Sequence, residues 1–177
     1  MIINIISNSP LQTQEIGKIF SKVLATNDII LLDGELGAGK TTFISGIAEG
    51  FGVKESLSSP SFTILNIYTV NRKKKLVHAD FYRLDNIDEI LGTGIEDYLY
   101  TKDKYIFIEW GSKIRSYLKT DCIEIEFNYI LKSEHINGYV DQDPEQVRSI
   151  AFKSESKYWG EKLVIFKKLL TRNALNV

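Results

Sequence analysis

The sequence has one cysteine, three prolines and no long apolar run. Because Cys122 stands alone, no disulfide can form within the chain, which favours a reducing compartment. The apolar start, Met1 to Ser7, is too short to span a membrane. It also lacks the basic residues and the small-residue cleavage site of a signal peptide. We therefore expect a cytoplasmic protein with no membrane attachment.

Basic residues do not outnumber acidic residues in this sequence. The 22 lysines and arginines face 23 acidic residues, for a net charge of −1. Proteins that hold nucleic acid by themselves usually carry a basic face, because neutralised phosphates supply most of the affinity. Any connection to RNA is therefore expected to run through partner proteins. One cysteine and two separated histidines also exclude a zinc constellation.

Length and composition fit one domain with a buried core, since the chain has 177 residues of which 44% are hydrophobic. Short apolar runs at 29–32 and 105–108 are typical of buried parallel strands. Ser9, Pro10 and Gln12 form a capping-box pattern that predicts the start of a helix. These signals predict an α/β protein.

The remaining elements follow from periodicity and turn residues. Phe62–Val70 and Leu76–Phe81 flank a charged turn and predict a β-hairpin. A strand is expected around Arg148–Phe152, and Lys157–Arg172 predicts a closing helix. The polar segment Leu131–Glu145 is interpreted as a loop. We expect three layers with a largely parallel central sheet and a hairpin extension.

A glycine-rich motif joins the strand at 29–32 to a predicted helix at 41–50. Residues 34 to 41, Gly-Glu-Leu-Gly-Ala-Gly-Lys-Thr, fit the phosphate-loop pattern G-x-x-x-x-G-K-[ST]. Its glycines allow backbone N–H groups to approach phosphates, and the helix start attracts the anion. Lys40 supplies a positive charge to the β- and γ-phosphates, and Thr41 offers a hydroxyl to Mg²⁺. The motif and its context predict a magnesium-dependent nucleotide site.

Two acidic residues follow predicted strands and are candidates for binding the metal or for positioning the attacking water. Glu109 follows the apolar run Tyr105 to Ile108, and Asp80 follows a weaker run. We assign Glu109 to the metal and Asp80 to the γ-phosphate or the attacking water. The two roles could be exchanged. His78, in the same apolar strand as Asp80, is interpreted as a hydrogen-bonded structural residue.

Beyond the phosphate loop, three motifs carry a family resemblance. Ser59-Pro60-Ser61-Phe62-Thr63, His78-Ala79-Asp80-Phe81-Tyr82-Arg83-Leu84 and Ile108-Glu109-Trp110 occur in an order and spacing similar to the TsaE family. Its members are bacterial ATPases required for threonylcarbamoyladenosine modification of tRNA. The resemblance covers residues 1 to 130. It implies a P-loop NTPase fold in which residues 131–177 form a divergent C-terminal extension of one ATPase domain.

The resemblance implies ATP and Mg²⁺ as ligands and a slow hydrolysis. It also implies a TsaB–TsaD complex as partner, modifying adenosine 37 of ANN-decoding tRNAs. Position by position, the resemblance implies that Lys40, Asp80 and Glu109 are catalytic residues. It implies that Thr41 and Glu109 bind the metal. The implied nucleotide-binding residues are Ser9, Thr13, Glu35, Leu36, Gly37, Ala38, Gly39, Lys40, Thr41, Thr42, Asp80 and Arg148. The implied switch or partner residues are Ser61, Thr63, Tyr82, Arg83 and Trp110.

Several interpretations stay open at the level of sequence. Arg83 is either an internal arginine that stabilises transferred charge or a surface partner of Asp85 or Asp88. Ser61 and Thr63 belong either to a switch segment or to an ordinary strand. Two functions compete with an ATPase: a small-molecule kinase, and a binding module that uses ATP only as a conformational ligand.

Overall fold

The computed structural model describes residues 1–130, 147–173 and 175. In these ranges the strands are β1 (Ile2–Ser7), β2 (Ile29–Gly34), β3 (Leu65–Thr69), β4 (Lys75–Asp80), β5 (Lys104–Glu109), β6 (Cys122–Ile130) and β7 (Val147–Lys153). The helices are α1 (Pro10–Phe20), α2 (Lys40–Gly50), α3 (Ile87–Gly92), α4 (Glu96–Leu99), α5 (Ser112–Arg115) and α6 (Lys157–Arg172). None of these helices is long and apolar enough to cross a membrane. The segment interpreted as a loop at 131–145 lies outside the described residues.

The seven strands form one mixed sheet in the order β1-β7-β6-β2-β5-β4-β3. The four central strands β6, β2, β5 and β4 are mutually parallel, and the other three pairings are antiparallel. The expected largely parallel sheet is therefore corrected to a parallel centre with antiparallel edges. Strand β7 causes much of the difference, because it runs back between β6 and β1.

The predicted hairpin is present as β3 and β4, which pair antiparallel across the turn at 71–74. Its first strand begins later than expected, at Leu65. Phe62 is 85% exposed, and Ile64 has a positive φ of 65° that does not continue a strand. The prediction of a strand from Phe62 was therefore wrong for its first three residues.

Two helical layers cover the sheet, as the sequence predicts. In β2, Ile30 and Leu32 face the layer of α1, α2 and α6, while Ile29 and Leu31 face α3, α4 and α5. This alternation is the period of two that any strand imposes on its side chains. The core between the sheet and the layer of α1, α2 and α6 contains an aromatic cluster. Its members are Phe20, Phe43, Phe127, Phe152 and Phe166.

A buried carboxylate attaches α6 to the sheet. Asp28 is 4% exposed and accepts hydrogen bonds from the Tyr158 hydroxyl at 2.7 Å, from Lys162 and from the Ala25 amide. Burial and the bond to Asp28 raise the pKa of Tyr158. The closing helix is thus held by charge as well as by its apolar face.

Helices α1 and α2 meet at a pair of glycines. A Cβ at Gly17 would lie 2.2 Å from the Phe43 carbonyl oxygen, and one at Gly46 would lie 1.9 Å from the Gln14 carbonyl oxygen. No backbone–side-chain contact of that length is tolerated, so both positions require glycine. This close approach fixes the position of α2 and therefore of the loop that precedes it.

We expect Gly46→Ala to lower the free energy of unfolding by about 1–3 kcal/mol, because the new methyl group displaces one helix from the other. Gly160→Ala is the matched control. That helical glycine has nothing within 4 Å of an added Cβ, so alanine there should stabilise by about 0.5–1 kcal/mol. Urea unfolding of both variants measures the difference. Equal effects at the two sites would contradict the close-packing explanation.

Candidate functional site

The candidate site lies at the carboxyl edge of the parallel strands. Because β2, β4 and β5 run in the same direction, the loop after Gly34 and the ends of the other two strands meet at one edge. Helix α2 begins at Lys40, directly after the loop. The first N–H groups of a helix have no partner within it, and the helix dipole places positive potential there. This edge is therefore suited to an anion.

The three glycines of the loop serve different purposes. Gly37 and Gly39 have positive φ values of 78° and 105°, and Gly39 caps α2 in the left-handed conformation. Gly34 instead allows β2 and β6 to approach, because a Cβ there would lie 2.3 Å from the Phe127 carbonyl oxygen. Gly34 also has a positive φ of 138°, which favours glycine, and the approach of the loop glycines to phosphates stays a prediction.

Lys40 is 4% exposed and folds back along its own loop. Its Nζ donates to the carbonyl oxygens of Gly34, at 2.7 Å, and Glu35, at 2.9 Å. Burial lowers the pKa of Lys40, and the charges of Glu109, Asp80 and Asp33 oppose that shift. Two neutral carbonyls are weak partners for a buried cation compared with ionised oxygens. An incoming anion would therefore compete well for this ammonium group.

Thr41 and Glu109 connect the start of α2 to the end of β5. The Thr41 hydroxyl donates to Glu109 Oε1 at 2.6 Å, and His78 Nε2 lies 2.9 Å from the same oxygen. Glu109 is 4% exposed. A hydroxyl and a carboxylate are oxygen ligands of the kind that Mg²⁺ prefers. In the described ranges no group of three or more His, Cys, Asp or Glu side chains is placed to hold a metal ion.

Asp80 is the neighbour of Glu109 across the β4–β5 pairing. Its Oδ2 accepts from Ser59 Oγ at 2.9 Å and from Ser61 Oγ at 2.6 Å, while its Oδ1 accepts from the Tyr82 amide at 3.0 Å. The structure thus brings Ser61 to Asp80, and its role as a switch residue stays a prediction. Ser59 belongs to one of the family motifs, and the sequence alone predicts no role for it. The predicted switch residue Thr63 donates instead to Asn66.

Trp110 lies beside the loop lysine. Its ring centre is 4.7 Å from Lys40 Nζ and 5.2 Å from the Tyr82 ring. Trp110 has a positive φ of 60°, and its amide donates to the Leu32 carbonyl at 2.8 Å. The chain therefore turns sharply after Glu109 and brings the indole over the loop. This geometry places Trp110, one of the implied switch or partner residues, next to Lys40.

Arg83 is not placed as the surface interpretation of its role expects, and its role towards transferred charge stays a prediction. Its guanidinium lies 4.3 Å from the centre of the exposed Phe62 ring. Within the described ranges it forms no ion pair with Asp85 or Asp88. Sequence patterns give no signal for a cation–π pair between two loops, so this contact was missed. Phe62 directly follows Ser61 and Arg83 directly follows Tyr82, and both of these neighbours donate hydrogen bonds to Asp80.

Lys113 was missed for a similar reason. Its Nζ donates to three carbonyl oxygens, those of Phe81, Tyr82 and Leu84, at 3.0, 3.0 and 2.7 Å. This contact ties α5 to the segment that follows β4. Because the Tyr82 amide supports Asp80, Lys113 stabilises the backbone on which that carboxylate depends.

The remaining predicted residues surround the loop. Ser9 caps α1 by accepting from the Gln12 amide, and the hydroxyls of Thr13 and Ser7 lie 2.7 Å apart. Arg148 is buried, and its Nε donates to the Ala38 carbonyl at 3.1 Å from beneath the loop. Glu35 and Leu36 are exposed, whereas Thr42 is half-buried and lines a cleft of about 520 Å³ with Thr41, Gln14 and Ser45.

Comparisons with known proteins agree on one family. The family model described as "Threonylcarbamoyl adenosine biosynthesis protein TsaE" matches residues 7–136. The chain belongs to the TsaE family. The TsaE protein of Rickettsia prowazekii is 37% identical over 124 residues, covering 70% of this chain and 84% of that protein. The TsaE protein of Treponema pallidum is 31% identical over 125 residues, covering 71% and 90%.

A solved structure extends the similarity to almost the whole fold. YdiB from Bacillus subtilis superimposes with a TM-score of 0.71 at 24% identity, and the match covers 95% of each chain. That similarity concerns the fold. The family model also spans every motif on which the sequence resemblance rested, since all of them lie between residues 34 and 110.

We expect Lys113→Met to loosen the segment after β4, because the three carbonyls lose a charged donor. The free energy of unfolding should fall by about 1–3 kcal/mol. Amide hydrogen exchange at residues 82–84 should accelerate more than exchange in β4 itself. Lys168→Met, at an exposed position of α6, is the control and should change neither quantity. Unchanged exchange at 82–84 would show that Lys113 does not hold this segment.

Proposed function

We propose that this TsaE family member binds ATP with Mg²⁺ and hydrolyses it slowly in the biosynthesis of threonylcarbamoyladenosine in tRNA. The observation that carries the proposal is the Thr41–Glu109 hydrogen bond of 2.6 Å beside the start of α2 and Lys40. It joins a phosphate-binding loop to a strand-end carboxylate, the pairing that P-loop nucleotidases use. The three-layer arrangement with a parallel centre supports a P-loop NTPase fold.

Phosphate binding falls to the loop and the first turn of α2. The backbone N–H groups of residues 35 to 42 belong to the loop and the first turn of α2, and Gly37 and Gly39 let this backbone approach an anion closely. Lys40 exchanges its two carbonyl partners for phosphate oxygens. Arg148 supports the loop from below through Ala38. Ser9 and Thr13, at the start of α1, are proposed to lie towards the nucleoside.

Thr41 and Glu109 would hold Mg²⁺, either directly or through its water shell. When bound, the ion supplies charge neutralisation for the phosphates during their transfer. Thr41 can offer a lone pair and still donate its proton to Glu109, so the observed bond does not have to break. Glu109 in turn stays fixed in the sheet. The two residues thus present hard oxygen ligands from two different elements.

Hydrolysis falls to Asp80 and its neighbours. Asp80 is proposed to accept a hydrogen bond from the attacking water, which would orient it for in-line attack on the γ-phosphorus. The products are ADP and phosphate, with the proton of the water carried away by Asp80 or by the phosphate. Ser59 and Ser61 hold the carboxylate in position. As a switch residue, Ser61 would report phosphate release to the segment around it.

The partner surface is proposed to surround the same edge. Phe62 and Tyr82 are exposed to 85% and 45%, and Arg83 covers the Phe62 ring. Aromatic and arginine side chains are enriched in protein interfaces. A TsaB–TsaD complex is the proposed partner, and it would hold the tRNA, since this chain has a net charge of −1. We propose that residues 1–177 act as one ATPase domain in the cytoplasm, with 131–177 as its C-terminal part.

Lys40→Ala should weaken binding of magnesium-ATP by about 10- to 100-fold, because a charge-assisted hydrogen bond contributes about 1.5–3 kcal/mol. Titration calorimetry measures this loss. Fluorescence of Trp110 should change as ATP binds to the unaltered chain, since Lys40 moves away from the indole. Lys18→Ala is the matched control, because Lys18 is exposed and pairs with Glu49 in the last turn of α2, at the opposite end of that helix from Lys40. No detectable magnesium-ATP binding by the unaltered chain would end the proposal.

Phosphate release should be slow for the chain alone and should increase when TsaB and TsaD are added. Asp80→Asn is expected to reduce the stimulated rate by about 100-fold or more, at the scale of a lost acid–base or orienting group. Ser112→Ala controls for a general disturbance near the sheet edge, because the Ser112 hydroxyl donates a hydrogen bond to Asp33 there. If TsaB and TsaD stimulate phosphate release by Asp80→Asn as strongly as by the unaltered chain, Asp80 has no part in the mechanism. ATP binding with no turnover would favour a regulatory module, and transfer to a small acceptor would favour a kinase.

A further inference from the structure

His78 is a polar side chain at a fully buried position of β4. Its exposure is 0%, and its Nε2 lies 2.9 Å from Glu109 Oε1. Building on the proposed function, we propose that His78 is a positioning residue for the metal site. It fixes the Glu109 carboxylate through Oε1 and so leaves the second carboxylate oxygen for the ion or its water shell. His78 itself is not a metal ligand in this proposal.

Strand geometry brings His78 to Glu109. His78 and Asp80 are two residues apart, so they share one face of β4. Asp80 is paired with Glu109 and His78 with Phe107 in the parallel register. Phe107 belongs to the core beneath α2. The imidazole therefore lies one step below the two carboxylates, between the apolar core and the start of α2.

Hydrogen-bond accounting determines which ring nitrogen carries the proton. Within the described ranges, Nδ1 is buried and has no protein hydrogen-bond partner. A proton on Nδ1 would be a buried donor without an acceptor, whereas a lone pair there is the less costly alternative. The proton then lies on Nε2, which donates to Glu109 Oε1. Histidine ligands and carboxylates at metal centres are commonly oriented by such outer contacts.

Oε1 of Glu109 consequently accepts two hydrogen bonds, one from His78 and one from Thr41. Two donors that approach from different elements fix both the rotation and the tilt of the carboxylate. Losing either donor frees the carboxylate to rotate. Such freedom has to be lost again when the ion binds, which lowers the affinity for the ion.

Packing alone does not explain a histidine at this position. The neighbouring side chains Leu76, Val77 and Ala79 are buried and apolar, and an apolar residue at 78 would leave no polar atom unsatisfied. The buried Nδ1 is a cost that the core would avoid. The contact with Glu109 is the only hydrogen bond that the described residues give to the ring. The hydrogen bond to Glu109 therefore offsets the cost of burying Nδ1 without a partner among the described residues.

The experiment compares three variants that differ in where they place a donor. The amide nitrogen of His78→Gln can reach the position of Nε2, whereas that of His78→Asn reaches only the position of Nδ1. His78→Leu removes both. Binding of Mn²⁺, used as a probe for Mg²⁺, is measured by electron paramagnetic resonance in the presence of ADP. Binding of ADP in excess chelator is measured separately, and thermal unfolding controls for stability.

We expect His78→Gln to keep Mn²⁺ affinity within about threefold, and His78→Asn and His78→Leu to lose about 10- to 100-fold, the usual effect of losing an outer-shell contact. Metal-free ADP affinity should stay the same in all three. Equal Mn²⁺ affinity for Gln, Asn and Leu would overturn the proposed role while leaving the proposed function intact. Failure of the unaltered chain to bind Mn²⁺ with ADP would overturn both.

A second measurement does not depend on the variants folding. Nitrogen-15 NMR of the unaltered chain should show His78 with its proton on Nε2. His78 and His135 are the two histidines of the sequence, so His135→Asn assigns the signals. Glu109→Gln should shift the His78 Nε2–H resonance, since its acceptor loses charge. A proton on Nδ1, or no response to Glu109→Gln, would contradict the positioning role.

Discussion

The hydrogen bond between Thr41 and Glu109 is the contact on which the site depends. It joins the first turn of α2 to the last residue of β5, two elements separated by 68 positions in sequence. It forms because β2 and β5 are parallel neighbours, so the loop leaving one strand and the acid ending the other emerge at the same edge. Close packing of α1 on α2 through Gly17 and Gly46 then fixes the helix that carries Thr41.

Burial makes this edge costly for the fold unless its charges are paired. Lys40, Asp80 and Glu109 are each at most 5% exposed, and a buried charge without partners is strongly unfavourable. The structure satisfies them differently. Asp80 and Glu109 accept hydrogen bonds from serine, threonine, histidine and backbone donors, whereas the described residues give Lys40 hydrogen bonds to two carbonyls and a contact with the Trp110 ring. The acids are therefore held in place, and the lysine is the group free to exchange its partners.

Much of the fold and the centre of the site could be predicted from sequence, because those features are local. The loop at 34–41, the strand before it and the helix after it lie within one stretch, and Glu109 directly follows an apolar run. What was missed depends on contacts between distant segments. No sequence periodicity predicts the contact of Lys113 with Phe81, the contact of Arg83 with Phe62, or the antiparallel position of β7 beside β6. His78 was recognised as hydrogen-bonded, but its partner depends on the β4–β5 register.

The positions of the arginines bear on why a partner would be needed for turnover. Arg72 lies in the hairpin turn, Arg115 pairs with Glu124, and Arg172 ends α6. Arg148 is committed to the loop backbone through Ala38, and Arg83 lies on Phe62. Phosphoryl transfer is accelerated most by an arginine at the transferred group, and some nucleotidases receive it from another protein. Within the proposed function, a partner that displaces Phe62 would release Arg83 towards Asp80, or would supply its own cation, and either step would account for the proposed slow hydrolysis by the chain alone.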